Sequence, residues 1–227
     1  LTCSWGKRSI MAKPTLLLMG SAGSGKGTQG GTIASAFGYV HAETGALIRA
    51  TAQQDTELGR RVKESDDQGK HASDELITEL LITYLKSLPF GQPLLLDGYP
   101  RTMRQADMLT DVLREVGRDA DGLKVVWINV RPEVARERLL QRAVCSSCKK
   151  VFPSRDITKC DVCSGSVAPR PYDNGEAINE RLKFFETQTK PVIERYRQEG
   201  RLIEVDGEQP IQNVSASLLK SLETTMK

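Results

Sequence analysis

The stretch GSAGSGKGT, residues 20–28, carries four glycines and one lysine directly after the apolar run TLLLM. The order Gly20-x-x-x-x-Gly25-Lys26, with a strand signal before it and a helix signal after it, is the pattern of a phosphate-holding loop. Glycines let successive backbone N–H groups turn inward, and the N-terminus of the following helix adds partial positive charge. Gly23, Ser24, Gly25, Gly27 and Thr28 are thereby candidate phosphate contacts, and Lys26 adds a full charge. Most such loops place Ser or Thr directly after the lysine as a magnesium ligand. Here Gly27 intervenes and Thr28 comes one place later.

A second apolar run, Leu94 to Leu96, ends in Asp97 and continues as GYPR. A carboxylate at the end of a buried strand, in a chain with a phosphate loop, points to a magnesium site. Arg101 would be delivered to the same mouth of the sheet. Arg49, Arg138, Arg142, Arg170 and Arg181 extend the set. Arginine is always charged and grips phosphate oxygens in pairs, so together these residues suggest a site holding several phosphates at once. No nucleophile stands among them: His41 and His71 are the only histidines, and packing or surface roles suit both.

Cys145-x-x-Cys148 and Cys160-x-x-Cys163 are two short-spaced pairs in a chain without a secretory signal, which reads as metal rather than disulfide. The fifth cysteine, Cys3, has no such partner.

The elements that must position these groups follow from the apolar pattern. Short buried-strand signals occur at 15–19, 38–41, 93–96, 125–130 and 202–205. Helical stripes separate them: after the glycine loop, from Ser73 through Leu85, from Pro132 to about Gln141, from Glu176 to Arg197 with a kink expected at Pro191, and through Val214, Leu218 and Leu222. Strands alternating with helices predict an α/β fold, a five-stranded parallel sheet covered on both faces. Segments 43–72 and 142–173 break the rhythm and read as inserts on a core formed by 14–42, 73–141 and 174–227. Residues 1–13 read as a poorly ordered extension. Of 227 residues, 39% are hydrophobic and 27% charged, with a net charge of +3. This balance gives no argument for a nucleic-acid partner, and no apolar run reaches the ~18 residues of a membrane span.

The stretches GSAGSGKGTQ, TGALIR, GKHASDEL, LLLDGYPRTMRQAD and RLLQR, in this order and spacing, resemble adenylate kinases. The likeness covers about residues 14–222, and the cysteine pairs sit where the long-lid, zinc-bearing members carry theirs. It implies a P-loop NTPase-like core, a nucleoside-monophosphate-binding insert and a lid, with reversible phosphoryl transfer from MgATP to AMP. The loop, with Lys26, would cradle the ATP phosphates; Arg138, Phe152 and Gln209 would meet the ATP base. Thr44, Gly45, Arg49, His71, Ala72, Gly98, Arg101 and Gln105 would hold AMP, with Arg49 and Arg101 on its phosphate. Arg142, Arg170 and Arg181 would clamp the transferring group, and Asp97 would hold Mg2+ through water. Asp173 matches an acidic lid position that helps closure. Ala22, Ala46, His71-Ala72, Phe152-Pro153 and Tyr172 depart from the usual residues, none of them at a phosphate contact.

Four thiolates make a closed tetrahedral site suited to structural Zn2+, with iron or free thiols as the alternatives. Val151, Phe152, Ile157 and Val162 are expected to pack around it. The resemblance further implies a monomer whose partners are ATP, AMP and ADP, without membrane or nucleic acid. A cytoplasmic location is expected, or a mitochondrial or other organellar one if residues 1–13 are the remnant of a transit peptide. Two rivals stand beside this reading. One is a kinase with GTP as donor or another acceptor base. The other is a non-catalytic zinc ribbon binding nucleic acid on a nucleotide switch.

Overall fold

A computed structural model of the chain describes residues 14–67, 72–89, 91–170 and 173–225. The expected extension at 1–13, His71 and Tyr172 lie outside these residues. In chain order the elements are β1 (Leu16–Met19), α1 (Lys26–Phe37), β2 (Val40–Glu43), α2 (Thr44–Thr51), α3 (Glu57–Asp67), α4 (Asp74–Ser87), β3 (Leu94–Asp97), α5 (Met103–Glu115), β4 (Lys124–Asn129) and α6 (Pro132–Gln141). Next come β5 (Ala143–Cys145), β6 (Val151–Phe152), β7 (Val167–Pro169), α7 (Gly175–Phe184), a π-helical turn (Phe185–Thr189), α8 (Lys190–Gln198), β8 (Leu202–Asp206) and α9 (Ile211–Thr225).

The main sheet has the order β2-β3-β1-β4-β8, all parallel. Runs such as LLLM and LLLD are buried at every position, as a strand covered on both faces requires. Alternation then divides the core in two. Leu17, Met19, Leu94, Leu96, Val125 and Trp127 face α4, α5 and α8 through Leu81, Leu109 and Ile193. Leu16, Leu18, Leu95, Val126 and Ile128 face α1, α6, α7 and α9 through Ile33, Leu139, Ile178 and Leu218. Each fully buried leucine contributes about 1.5–3 kcal/mol. Side-chain caps fix where several helices begin: Ser73 accepts from Leu76 N, Thr102 from Gln105 N, and Asn174 from Ala177 N.

Three features differ from the sequence expectation. The span 176–197 is helical, but its irregularity is the π-turn ahead of Pro191 rather than a kink at the proline. Pro191 has no N–H to return to the preceding turn, and the wider turn accommodates that loss. The lid segment carries its own antiparallel sheet, β6-β5-β7. Its small core consists of Ala143, Cys145, Phe152, Cys160 and Val167, with Ile157 against them. Val151 and Val162, expected in that core, are exposed. In so short a sheet only one face is covered, and both valines fall outside it. The third feature is α5, which the apolar pattern did not single out. Gln105 occupies its buried face beside Ala106, Leu109, Val112 and Leu113.

Candidate active site

The glycine loop joins the C-terminal end of the central strand β1 to α1, where parallel sheets open a crevice for ligands. Gly23 adopts φ 84° with its α-carbon pressed on α6, and a β-carbon there would lie 2.5 Å from the Ala135 carbonyl oxygen. Lys26 folds back over the loop, donating to the carbonyls of Gly20 at 2.7 Å and Ser21 at 2.9 Å. Burial pulls its pKa down to about 8; Asp97 opposes the shift, while Arg101 and Arg142 reinforce it. The hydroxyls of Ser21 and Ser24 are buried and have no partner among the described residues. A loop with unspent donors suits an anion that completes it. Thr28 is exposed in the first turn of α1.

Asp97 ends β3, in register with Leu18 of β1 and Glu43 of β2, so its carboxylate emerges beside the loop. It is buried, with one oxygen 3.3 Å from His41 Nε2. Its carbonyl accepts from the Thr44 hydroxyl at 3.1 Å, which ties the start of α2 to the end of β3. Gly98 follows with φ 84°, and a β-carbon there would meet Arg101 Nη2 at 2.9 Å. Only glycine allows the arginine to fold back and donate from Nε to the Gly98 carbonyl at 2.7 Å. Arg101 as a whole residue is exposed. Desolvation by the surrounding protein still lowers its pKa, against the pull of Asp97 and Glu43. Leu18, Lys26, Gly98, Arg101, Arg181 and Phe185 line one cavity.

Lid and core meet in an ionic clasp. Arg142 closes α6 and donates from Nε and Nη2 to the Asp173 carboxylate at 2.8 and 2.9 Å. Arg181 of α7 donates to the same carboxylate at 2.7 Å, and the Asp173 side chain is fully shielded from water. Arg155 reaches the Asp173 carbonyl from the lid at 3.3 Å. Arg170 is half-buried without a carboxylate partner among the described residues. Burial and the like charges of Arg142 and Arg49 lower its pKa, opposed by Asp173 and Glu43.

Among the residues expected to hold AMP, Arg49 lies 3.5 Å from Glu43 across Gly45. Gln105, expected to read a base edge, is buried. Its oxygen accepts from Arg101 N at 2.7 Å and its nitrogen donates to Asp74 at 2.8 Å, leaving one lone pair and one N–H. Ala72 packs on α4 next to Leu76 and Leu80. Of the residues expected at the ATP base, Arg138 donates to the Gly207 carbonyl at 2.9 Å, and Gln209 is exposed with its amide on Asp206. Phe152 takes the place expected of it beside the cysteines. Its ring is only 5% exposed and serves the lid core, because a sheet this small has no other large side chain to fill it. Sequence reasoning also missed Glu43, Asp74 and Thr189. Of these, only Glu43 carried a signal, an acid directly before Thr44-Gly45.

The sulfurs of Cys145, Cys148, Cys160 and Cys163 all lie within 4.8 Å of one another. The Cys145–Cys163 and Cys148–Cys160 separations are 3.4 and 3.5 Å. A tetrahedron of thiolates about 2.3 Å from zinc has edges near 3.8 Å, so the donor set fits such an ion. Burial opposes ionisation of Cys145, but N–H groups of Cys148 and Ser147 and the neighbouring thiols bring its pKa down to about 6.

A phosphate loop on the central strand of a parallel sheet, with a buried aspartate on the next strand, defines a P-loop nucleotide-binding protein. The family model for adenylate kinase matches residues 18–201. The chain is 36% identical over 212 residues to an adenylate kinase of Caldicellulosiruptor saccharolyticus, covering 91% of this chain and 98% of that protein. It is 37% identical over 218 residues to one from Petrotoga mobilis, covering 93% and 99%. One from Kosmotoga olearia is 36% identical over 214 residues, covering 92% and 98%. The chain belongs to the adenylate kinase family.

Proposed function

We propose that the protein transfers the terminal phosphoryl group of MgATP to AMP, reversibly, giving two ADP. The observation that carries this reading is the gathering of Lys26, Arg101, Arg142 and Arg181 around the glycine loop, with Asp97 among them. An AMP phosphate is already ionised at neutral pH and needs no strong general base, so positioning and charge neutralisation supply the catalysis.

The loop N–H groups from Gly23 to Thr28 receive the donor phosphates. Lys26 leaves the Gly20 and Ser21 carbonyls for the anion that binds. Arg49 and Arg101 hold the acceptor phosphate in line. A bond forms between an acceptor phosphate oxygen and the γ-phosphorus as the bond from that phosphorus to the β,γ-bridging oxygen breaks. Arg142, Arg170 and Arg181 offset the charge on the group in transit. Asp97 would hold magnesium through water, and the ion would supply positive charge to offset that of the donor phosphates. Arg138 and the segment at Gln209 lie on the donor-base side, and Gln105 offers its remaining lone pair and N–H to the acceptor base. Closing the lid over this site excludes water, the competing acceptor. No helix among the described residues is long and apolar enough to cross a membrane. The lid cysteines would hold zinc as a structural clip.

A coupled assay of ADP formation from ATP and AMP, with and without magnesium, tests the reading. Repeating it over four donors and four acceptors tests base choice. Absence of AMP-dependent turnover with magnesium would overturn it.

A further inference from the structure

Glu43 is an acid inside a site built for anions. It ends β2, in register with Asp97 of β3, so two carboxylates emerge side by side at the mouth of the sheet. Its Oε1 lies 3.5 Å from Arg49 Nη2. A β-carbon on Gly45 would lie 3.5 Å from that oxygen and 3.3 Å from Arg49 Nη1, so the pair bridges the first turn of α2. Neither partner is deeply buried: 44% of the Glu43 side chain and 60% of the Arg49 side chain are exposed. The reach of the carboxylate goes beyond this pair, because its charge acts on Lys26, Arg101 and Arg170 as well. Every phosphate-gripping group it touches would have to be shared with an incoming dianion.

We propose that Glu43 is a resident counter-anion of the acceptor pocket, pairing with Arg49 while the pocket is empty and opposing the acceptor phosphate when it enters. This rests on the reading of Arg49 and Arg101 as acceptor-phosphate groups. The carboxylate relieves repulsion among the crowded cations of the empty enzyme and weakens acceptor binding in return. Removing its charge therefore moves two quantities in opposite senses. Affinity for the acceptor rises, and the stability of the empty protein falls. A residue with a purely structural role would lower both.

The test compares the wild-type protein with Glu43→Gln, which keeps the shape of the side chain. Calorimetric titration with AMP is expected to give a Kd about three- to fivefold lower in the variant, the size of a partly exposed ion pair. The gain should shrink at high salt. The melting temperature of the ligand-free variant is expected to fall by roughly 1–3 °C. An unchanged or raised Kd in the variant, with the wild type binding AMP, overturns this inference and leaves the proposed activity standing. A wild type that neither binds AMP nor makes ADP overturns the activity and this inference with it. Tighter binding together with an unchanged or higher melting temperature overturns the counter-anion role.

Discussion

The Thr189 hydroxyl donates to the Arg101 carbonyl at 2.9 Å, joining groups 88 residues apart. Thr189 closes the π-turn, and its helix carries Arg181 two turns earlier, so one continuous rod touches both arginines of the cavity. The contact holds the Arg101 backbone in place from below. Thr189→Val keeps the shape and removes the donor, and should raise the KM for AMP about threefold to tenfold while moving that for ATP much less. Thr189→Ser should restore it. Steady-state kinetics on both substrates decides the matter.

In the role proposed for it Lys26 would grip phosphate in its protonated form, and burial pulls its pKa down to about 8. kcat/KM for ATP reports ionisations of the free enzyme, so it should fall roughly tenfold per pH unit above that value. Lys26→Arg, permanently charged, should lose that alkaline limb. Stability has its own sign. The folded value lies below the 10.5 of an unperturbed lysine, so the unfolded chain binds the extra proton between the two values. Stability from this group therefore rises with pH across that window, which urea titrations at a series of pH values would show.

Lys26→Ala and Arg101→Ala should each lower kcat/KM by at least ~100-fold, as loss of a preorganised charge aimed at a transition state does. Near-normal rates in either variant would remove that residue from the machinery.

Asp173 holds two guanidinium groups with a carboxylate shielded from water. Asp173→Asn leaves both arginines undercompensated and should destabilise the protein by about 2–4 kcal/mol, read from chemical denaturation. Turnover should fall as well, since Arg142 and Arg181 lose their common anchor.

Protein purified without added metal should contain about one zinc per chain. Stripping the metal with a strong chelator should abolish turnover and open the lid to proteolysis between 143 and 169. The core should keep its circular dichroism, because the two clusters that flank the main sheet include no cysteine. Iron in place of zinc, or no metal at all, would end the structural-zinc reading.

Legibility in the sequence followed range. The central strands were readable because unbroken runs such as Leu94 to Leu96 leave few other structures open, whereas the edge strand β2, VHAE, has no such run and was read two residues early, at 38–41 against Val40–Glu43. The phosphate loop was readable because its glycines do work that no other residue type can do. The Arg142–Asp173–Arg181 clasp was not readable as a contact, since it depends on where the lid sheet lands. The Gln105–Asp74 bond was hidden for the same reason: it joins the starts of two helices, 31 residues apart. Phe152 was read both as lid core and as a contact to the ATP base, because an aromatic side chain carries no mark of whether it fills a miniature core or greets a ligand; its burial beside Cys145 and Cys160 bears out the first. The π-turn was read as a proline kink because either irregularity accommodates the carbonyl that the absent proline N–H leaves without its donor.

The two small outlying clusters are anchored differently. The lid interior is assembled wholly from residues between 143 and 167, whereas Val62 of α3 packs on Leu76 and Leu80, which belong to α4. The lid is therefore a cassette that could be grafted onto a related scaffold with its interior intact, provided an acidic residue follows it to meet the two host arginines. The acceptor arm would arrive in such a transplant with half of its footing left behind.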